Sequence, residues 1–362
     1  YILIMYLIYF LVDLFTVKKK IILFSSYSGR QYSDSPKILY ELIKEDERFS
    51  EYRLVWGFNE PDKFPEELDK LNINSIKYIF FLMMSEIWIS NASIEKLVPY
   101  KPKDTYYLNT WHGVPLKKLG PHEKNSSMAI KLWYKNVKFD LFTSSSEYDE
   151  KLFSLIFPKI KKNIRTGLPR NYEMFSEMLN VEQNRIKFMK DHNIPFNARL
   201  VLYMPTFREF ESKKTNDLLT KKFISSLDSG TYLLVRAHYF EKIQIDSPNV
   251  INVSDIDLTT LMGVSECLIS DYSSVIFDYY YLNKPIYLYC YDLEEYISYR
   301  GMYINLFTEY DAYNLNRDDL ELVLNKDYKK FDSRHVLEKF SITNPIEISK
   351  ILDILYRNVY QK

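Results

Sequence analysis

Short apolar runs and amphipathic stretches take turns along this chain, and the order of that alternation predicts its architecture. Apolar runs at 21–25, 53–56, 87–90, 106–110, 140–143 and 163–166 are separated by stretches with helical spacing, such as 35–45 and 147–157. Runs that short, apolar on both faces and bounded by helical segments, read as parallel strands in βαβ units. A polar helix over Val181–Asp191 precedes a second set of strands at Arg199–Met204, 232–236, 250–253, 266–269 and 286–289, again alternating with helices. Two consecutive doubly wound halves predict an α/β chain of two Rossmann-like domains facing a cleft. The expected boundaries are 19–180 for the first domain and 196–330 for the second, with a linker near 172–195. Helices in 331–362 are expected to pack back on the first domain. No fixed-period repeat is present.

The opening segment 1–15, YILIMYLIYFLVDLF, is strongly apolar and is followed by Lys18, Lys19 and Lys20. It is shorter than the roughly 20 residues a bilayer span needs. The pattern predicts a membrane-associating helix over 1–18, held at the interface by aromatics and by lysines against anionic lipid. A buried helix, or the remnant of a longer span or signal segment, is the competing reading.

Composition narrows the function. Among 362 residues, 48 Lys plus Arg balance 48 Asp plus Glu, so no global basic field for nucleic acid exists and anionic partners must be met by local clusters. The two cysteines, Cys267 and Cys290, lie in apolar strand-like runs and give neither a disulfide framework nor a metal spacing. No Walker loop, no GxGxxG, no nucleophile elbow and no Cys/His metal set occurs, so neither a metal nor a cofactor is expected.

Ligands of open α/β sheets sit beyond the carboxyl ends of strands, so the residues after each strand are the candidates. After the first strand, Ser25 to Arg30 and then Tyr32-Ser33-Asp34-Ser35-Pro36 either cap the next helix or hold an anion at its positive end. After 106–110 comes Asn109-Thr110-Trp111-His112-Gly113-Val114-Pro115-Leu116-Lys117-Lys118-Leu119-Gly120. Gly113 permits a tight turn beside the imidazole, and a helix from Pro115 to Gly120 is expected. His112 would accept a hydroxyl proton at neutral pH, with Lys117 and Lys118 close by for an acceptor carrying phosphate. His122, His192 and His335 read as surface residues.

In the second half, Pro205-Thr206-Phe207-Arg208 offers a hydroxyl and a two-pronged donor for phosphate. Arg236 and His238 share one side of an extended segment, where both could face a pyrophosphate and His238 could protonate a leaving phosphate. Ser270-Asp271-Tyr272-Ser273-Ser274-Val275-Ile276-Phe277-Asp278 ends a strand with hydroxyls at a helix start. Each of these segments is also what plain capping and local ion pairing would produce.

Taken in order, these motifs, with Lys284-Pro285, Asp292 and Arg300-Gly301, resemble the CDP-glycerol glycerophosphotransferase family of teichoic-acid primases and polymerases over roughly residues 20–310. The resemblance implies a GT-B fold with the acceptor on the first domain and the nucleotide donor on the second. It implies attachment to the cytoplasmic face of the bacterial membrane, a CDP-glycerol or CDP-ribitol donor, and a polyprenyl-diphosphate-linked saccharide acceptor. His112 would be the base. Thr206, Arg208, Arg236, Ser273, Ser274 and Asp278 would serve the donor with His238 beside them, and Ser35, Lys117 and Lys118 the acceptor. A sialyltransferase-like enzyme using a CMP- or UDP-sugar, a ribitol-specific transferase and a non-catalytic membrane scaffold are the rivals.

Overall fold

In the computed structural model, the described residues are 2–172, 180–208, 210, 216–225, 227–236, 247–324, 338–340 and 347–360. Twelve strands and eleven principal helices follow one another along them. The first half contains α1 (Ile2–Phe15), β1 (Lys19–Ser25), α2 (Asp34–Glu45), β2 (Arg53–Phe58), β3 (Lys70–Asn72), α3 (Ile76–Met84), β4 (Ser85–Ser90), β5 (Tyr106–Asn109), α4 (Met128–Asn136), β6 (Leu141–Ser144), α5 (Glu147–Ile156) and β7 (Asn163–Arg165). The second contains α6 (Val181–Asp191), β8 (Arg199–Met204), β9 (Thr231–Val235), β10 (Val250–Asn252), α7 (Leu258–Val264), β11 (Cys267–Ser270), α8 (Val275–Tyr279), β12 (Ile286–Leu288), α9 (Leu293–Tyr299), α10 (Arg317–Leu324) and α11 (Ile348–Tyr360).

All strand pairs are parallel. The first sheet runs β3-β2-β1-β4-β5-β6-β7 and the second β10-β9-β8-β11-β12. Both faces of each sheet are covered, and the period-2 geometry of a strand shows in the packing. Ile21 and Leu23 of β1 join one core with Trp88 and Phe142, while Ile22 and Phe24 join another with Ile87 and Ile89. In β8, Leu200 and Leu202 face one core and Val201 and Tyr203 the other. The final helix α11 sends Ile348, Ile351, Leu352 and Leu355 into the same core as Ile22 and Phe24, so the chain ends against the first sheet.

The strand β3 was not foreseen; three residues with a single buried Leu71 carry too little pattern to read. The helix expected from Pro115 to Gly120 is absent. That segment instead pairs with the second half: Lys118 N–H donates to Gly301 O at 3.1 Å, Tyr303 N–H to Leu116 O at 3.0 Å, and Lys117 bridges Met302. Long-range backbone pairing overrides the local Pro and Gly signals.

Helix α1 lies on α3 and is pinned by the fully buried Tyr9, by a Tyr6–Tyr100 edge contact at 5.1 Å, and by Tyr100 Oη donating to Asp13 at 2.7 Å. Asp13 therefore faces a protein partner, and the outer face keeps Leu3, Leu7, Leu14 and Phe15 exposed, with Ile76 and Phe80 of α3. Of the three lysines, the expectation for Lys18 is corrected, while Lys19 and Lys20 are exposed. Lys18 turns inward, donating to Met83 O and to Thr105 Oγ1 at 2.7 Å, and burial lowers its pKa to about 8. Lys20 pairs with Glu51. Among the described residues no helix is long and apolar enough to cross a membrane.

Candidate active site

Each sheet has one point where its strand order reverses, between β1 and β4 in the first and between β8 and β11 in the second. Loops leaving such strands in opposite directions open a crevice at their carboxyl ends. In both sheets a side chain laces that crevice. In the first, Asn91 after β4 accepts the Tyr27 N–H on its Oδ1 at 2.7 Å. In the second, Asp271 after β11 accepts the Thr206 N–H at 2.9 Å and its Oγ1–H at 2.6 Å.

His112 sits on the first crevice. Its ring stacks on Trp111 at 4.5 Å and leans on Tyr27 at 5.4 Å. Nδ1 lies 2.7 Å from Asn91 O, and a carbonyl only accepts, so Nδ1 carries the proton and Nε2 keeps its lone pair. Burial lowers the imidazole pKa, an effect only partly offset by the bond to Asn91, and the ring is held neutral. The surrounding backbone is strained: Tyr27, Ser28, Asp34 and Trp111 all have left-handed φ between 46° and 63°. Non-glycine residues in that region cost on the order of 1 kcal/mol or more each, and the surrounding contacts hold them there.

The two crevices meet. Gly113, at φ 142°, lies so close to Ser274 that a Cβ would collide with its hydroxyl. Arg170 ties the halves together. Its guanidinium donates to Asp278 at 2.5 and 3.2 Å, to Asp34 at 3.0 Å and to His112 O at 2.8 Å, while its backbone N–H donates to Ser35 Oγ at 3.2 Å. Burial pushes the Asp34 carboxyl up, but the Arg170 charge and the Tyr27 hydroxyl at 2.6 Å more than offset it, leaving it below the usual range. Arg170 was missed in the sequence. It follows β7 in Gly167-Leu168-Pro169-Arg170, a strand end that the same inspection would have reached.

Two expected contacts are corrected. Ser35 is fully buried beneath Arg170, which leaves no surface for an acceptor. Asp278 is also buried and spends both carboxylate oxygens on Arg170, so it clasps the halves. Lys117 and Lys118 lie at the pairing with 301–303, where the Lys118 stem covers Gly301.

Arg208 follows β8. It makes two bonds to Asp292, at 2.7 and 2.9 Å, and one to Asp271 at 2.9 Å, over the rings of Tyr272, Tyr291 and Tyr296. Its charge is thereby balanced inside the protein, as a brace between the loops. Arg236, at the end of β9, donates to Ile256 O; burial lowers its pKa, and Asp257, Tyr27 and Asp255 act against that. Ser273 Oγ accepts from Val275 N–H at 3.4 Å, and Ser274 precedes α8 with no capping bond of its own side chain. His238 lies outside the described residues, as does His335. His122 is exposed, with Nδ1 at 2.8 Å from Tyr303 Oη, and His192 stacks on Phe188 at 4.3 Å.

Two all-parallel α/β sheets thus come together around His112, Arg170 and Ser274. The chain belongs to the CDP-glycerol:poly(glycerophosphate) glycerophosphotransferase family, whose model matches residues 5–331. It is 30% identical to a teichoic acid poly(glycerol phosphate) polymerase of Staphylococcus epidermidis, covering 96% of this chain and 52% of that protein, so it spans about half of that relative. It is 31% identical to a teichoic acid glycerol-phosphate transferase of Staphylococcus aureus, over 79% of this chain and 78% of that protein. A solved structure of the wall teichoic acid polymerase TagF superposes with a TM-score of 0.80 at 26% identity, covering 99% of this chain and 93% of that one. A UDP-N-acetylglucosamine 2-epimerase from Listeria monocytogenes, with a TM-score of 0.59 and 11% identity, shares the fold.

Proposed function

We propose that this protein transfers glycerol phosphate from CDP-glycerol to a polyprenyl-diphosphate-linked saccharide acceptor, in teichoic-acid or capsule polymer synthesis, and releases CMP. The two sheets then form a GT-B pair of Rossmann-like domains, 19–180 on the acceptor side and 196–330 on the donor side, across a cleft. The exposed apolar face of α1 and α3 supports attachment to the cytoplasmic face of the bacterial membrane. The observation that carries the proposal is the neutral His112, its Nε2 left as an acceptor by the Asn91 bond, beside Ser274 and Arg170.

In the reaction, the acceptor hydroxyl oxygen forms a bond to the donor β-phosphorus while the bridging P–O bond to the α-phosphate breaks. The electron pair leaves on CMP, and the hydroxyl proton moves to His112 Nε2. Arg236, with Ser273 and Ser274, faces the charge that builds on the departing phosphate, and His238, two positions beyond Arg236, donates to it. Thr206 and Arg208 act on the donor by holding the Asp271 loop.

The test measures release of the leaving nucleotide, CMP from CDP-glycerol, CDP-ribitol or a CMP-sugar and UDP from a UDP-sugar, on a synthetic lipid-linked disaccharide. CDP-glycerol is the expected donor. His112→Ala is expected to lower kcat by about a thousandfold, the usual scale of a lost general base, with CDP-glycerol affinity kept. Full turnover in that variant removes His112 from the chemistry, and release from a nucleotide sugar alone replaces the donor.

A further inference from the structure

A cavity of about 1100 Å³ opens beside Trp111, and the transfer chemistry above leaves it unused. Its walls continue the three segments that hold the imidazole. Ser28 to Gln31 follow Tyr27, Ala92 and Ser93 follow Asn91, and Trp111 itself lines it. The start of α4, residues 125–127, faces it with the partial positive charge of a helix N-terminus, and Arg300 closes it from the second half, paired with Glu123 at 3.0 Å. A volume of this size exceeds what a small metabolite fills.

Lys96 makes the cavity a place for an anion. It lies on the wall with φ 56°, and Leu97 beside it has φ 61°. Two adjacent residues in the left-handed region are strained, and such strain gathers at ligand sites. The ammonium is met by neutral oxygens, Asn74 Oδ1 at 2.7 Å and Ile73 O at 3.5 Å, with no carboxylate paired to it among the described residues. Burial lowers its pKa, so an incoming negative charge would relieve a partly desolvated cation.

We infer that this cavity binds the phosphorylated part of the acceptor, a polyol chain carrying phosphodiesters, with Lys96 meeting a phosphate and the chain's hydroxyl end directed past Trp111 to His112. This rests on the transfer reaction proposed above for the same site. It also supplies what the buried Ser35 does not, a surface for the acceptor.

The test is calorimetric titration of the full chain with a soluble oligomer of glycerol phosphate, alongside CMP release. Lys96→Gln is expected to weaken oligomer binding about tenfold, the loss of one charged hydrogen bond, with CDP-glycerol binding unaltered. Lys96→Gly removes the ammonium while relieving the positive φ, so it is expected to fold at least as stably and to show the same loss. Native affinity for the oligomer in Lys96→Gly, or no binding by the native protein, overturns the inference. A native protein that binds the oligomer through Lys96 yet releases no CMP keeps the cavity and sinks the transfer reading.

Discussion

The two crevices solve one problem, bracing a pair of diverging loops, by opposite means. In the first sheet the brace is uncharged: the Asn91 amide oxygen on Tyr27 N–H and the Asn91 carbonyl on His112. In the second it is ionic: Asp271 and Asp292 on Arg208, stacked among tyrosines. The Asn91 carbonyl fixes which ring nitrogen of His112 carries the proton, while burial lowers the pKa of the ring. Asp271 and Asp292 hold the Arg208 guanidinium firmly charged. On the function proposed above, the first side would take the proton and the second would hold the anion.

Breaking the clasp between the sides is the largest structural insult. Arg170→Met leaves Asp34 and Asp278 buried without their cation, and is expected to cost about 3–5 kcal/mol, the scale for one partner removed from a buried ion pair. Urea unfolding measures it, and a loss below about 1 kcal/mol, a surface-pair value, would show the clasp to be incidental. Arg208→Lys tests the ionic side. An ammonium cannot bond Asp292 in parallel or stack on the tyrosines, so the CDP-glycerol KM is expected to rise about tenfold with the acceptor KM unchanged. A change confined to the acceptor would reverse the assignment of sides.

The finest test is pH. The pKa of His112 is held below the ordinary imidazole value of 6.5, so the neutral base persists as the solution is acidified through that value. The acid limb of kcat/KM is therefore expected below pH 6.5, and a limb above it would mean that the ring is not the desolvated base described.

The sheets were legible because buried parallel strands write themselves as short apolar runs, and Arg199–Met204 lies where the pattern put it. The position of His112 was legible because it follows directly on the strand Tyr106–Asn109, beside Gly113. The sequence could not reveal that Ser35 and Asp278 would be consumed by Arg170, 135 and 108 positions away from it. Nor could it show that Lys18 would turn into the protein rather than toward lipid.

What the sequence alone determined is local: hydrophobic period, loop chemistry, and the identity of each group at a strand end. The tertiary structure decided which groups remain available. Hydrogen bonding and charge pairing act over a few ångströms, and only folding brings Arg170 to Asp278, Leu116 to Tyr303, and the Asn91 carbonyl to the ring whose tautomer it sets.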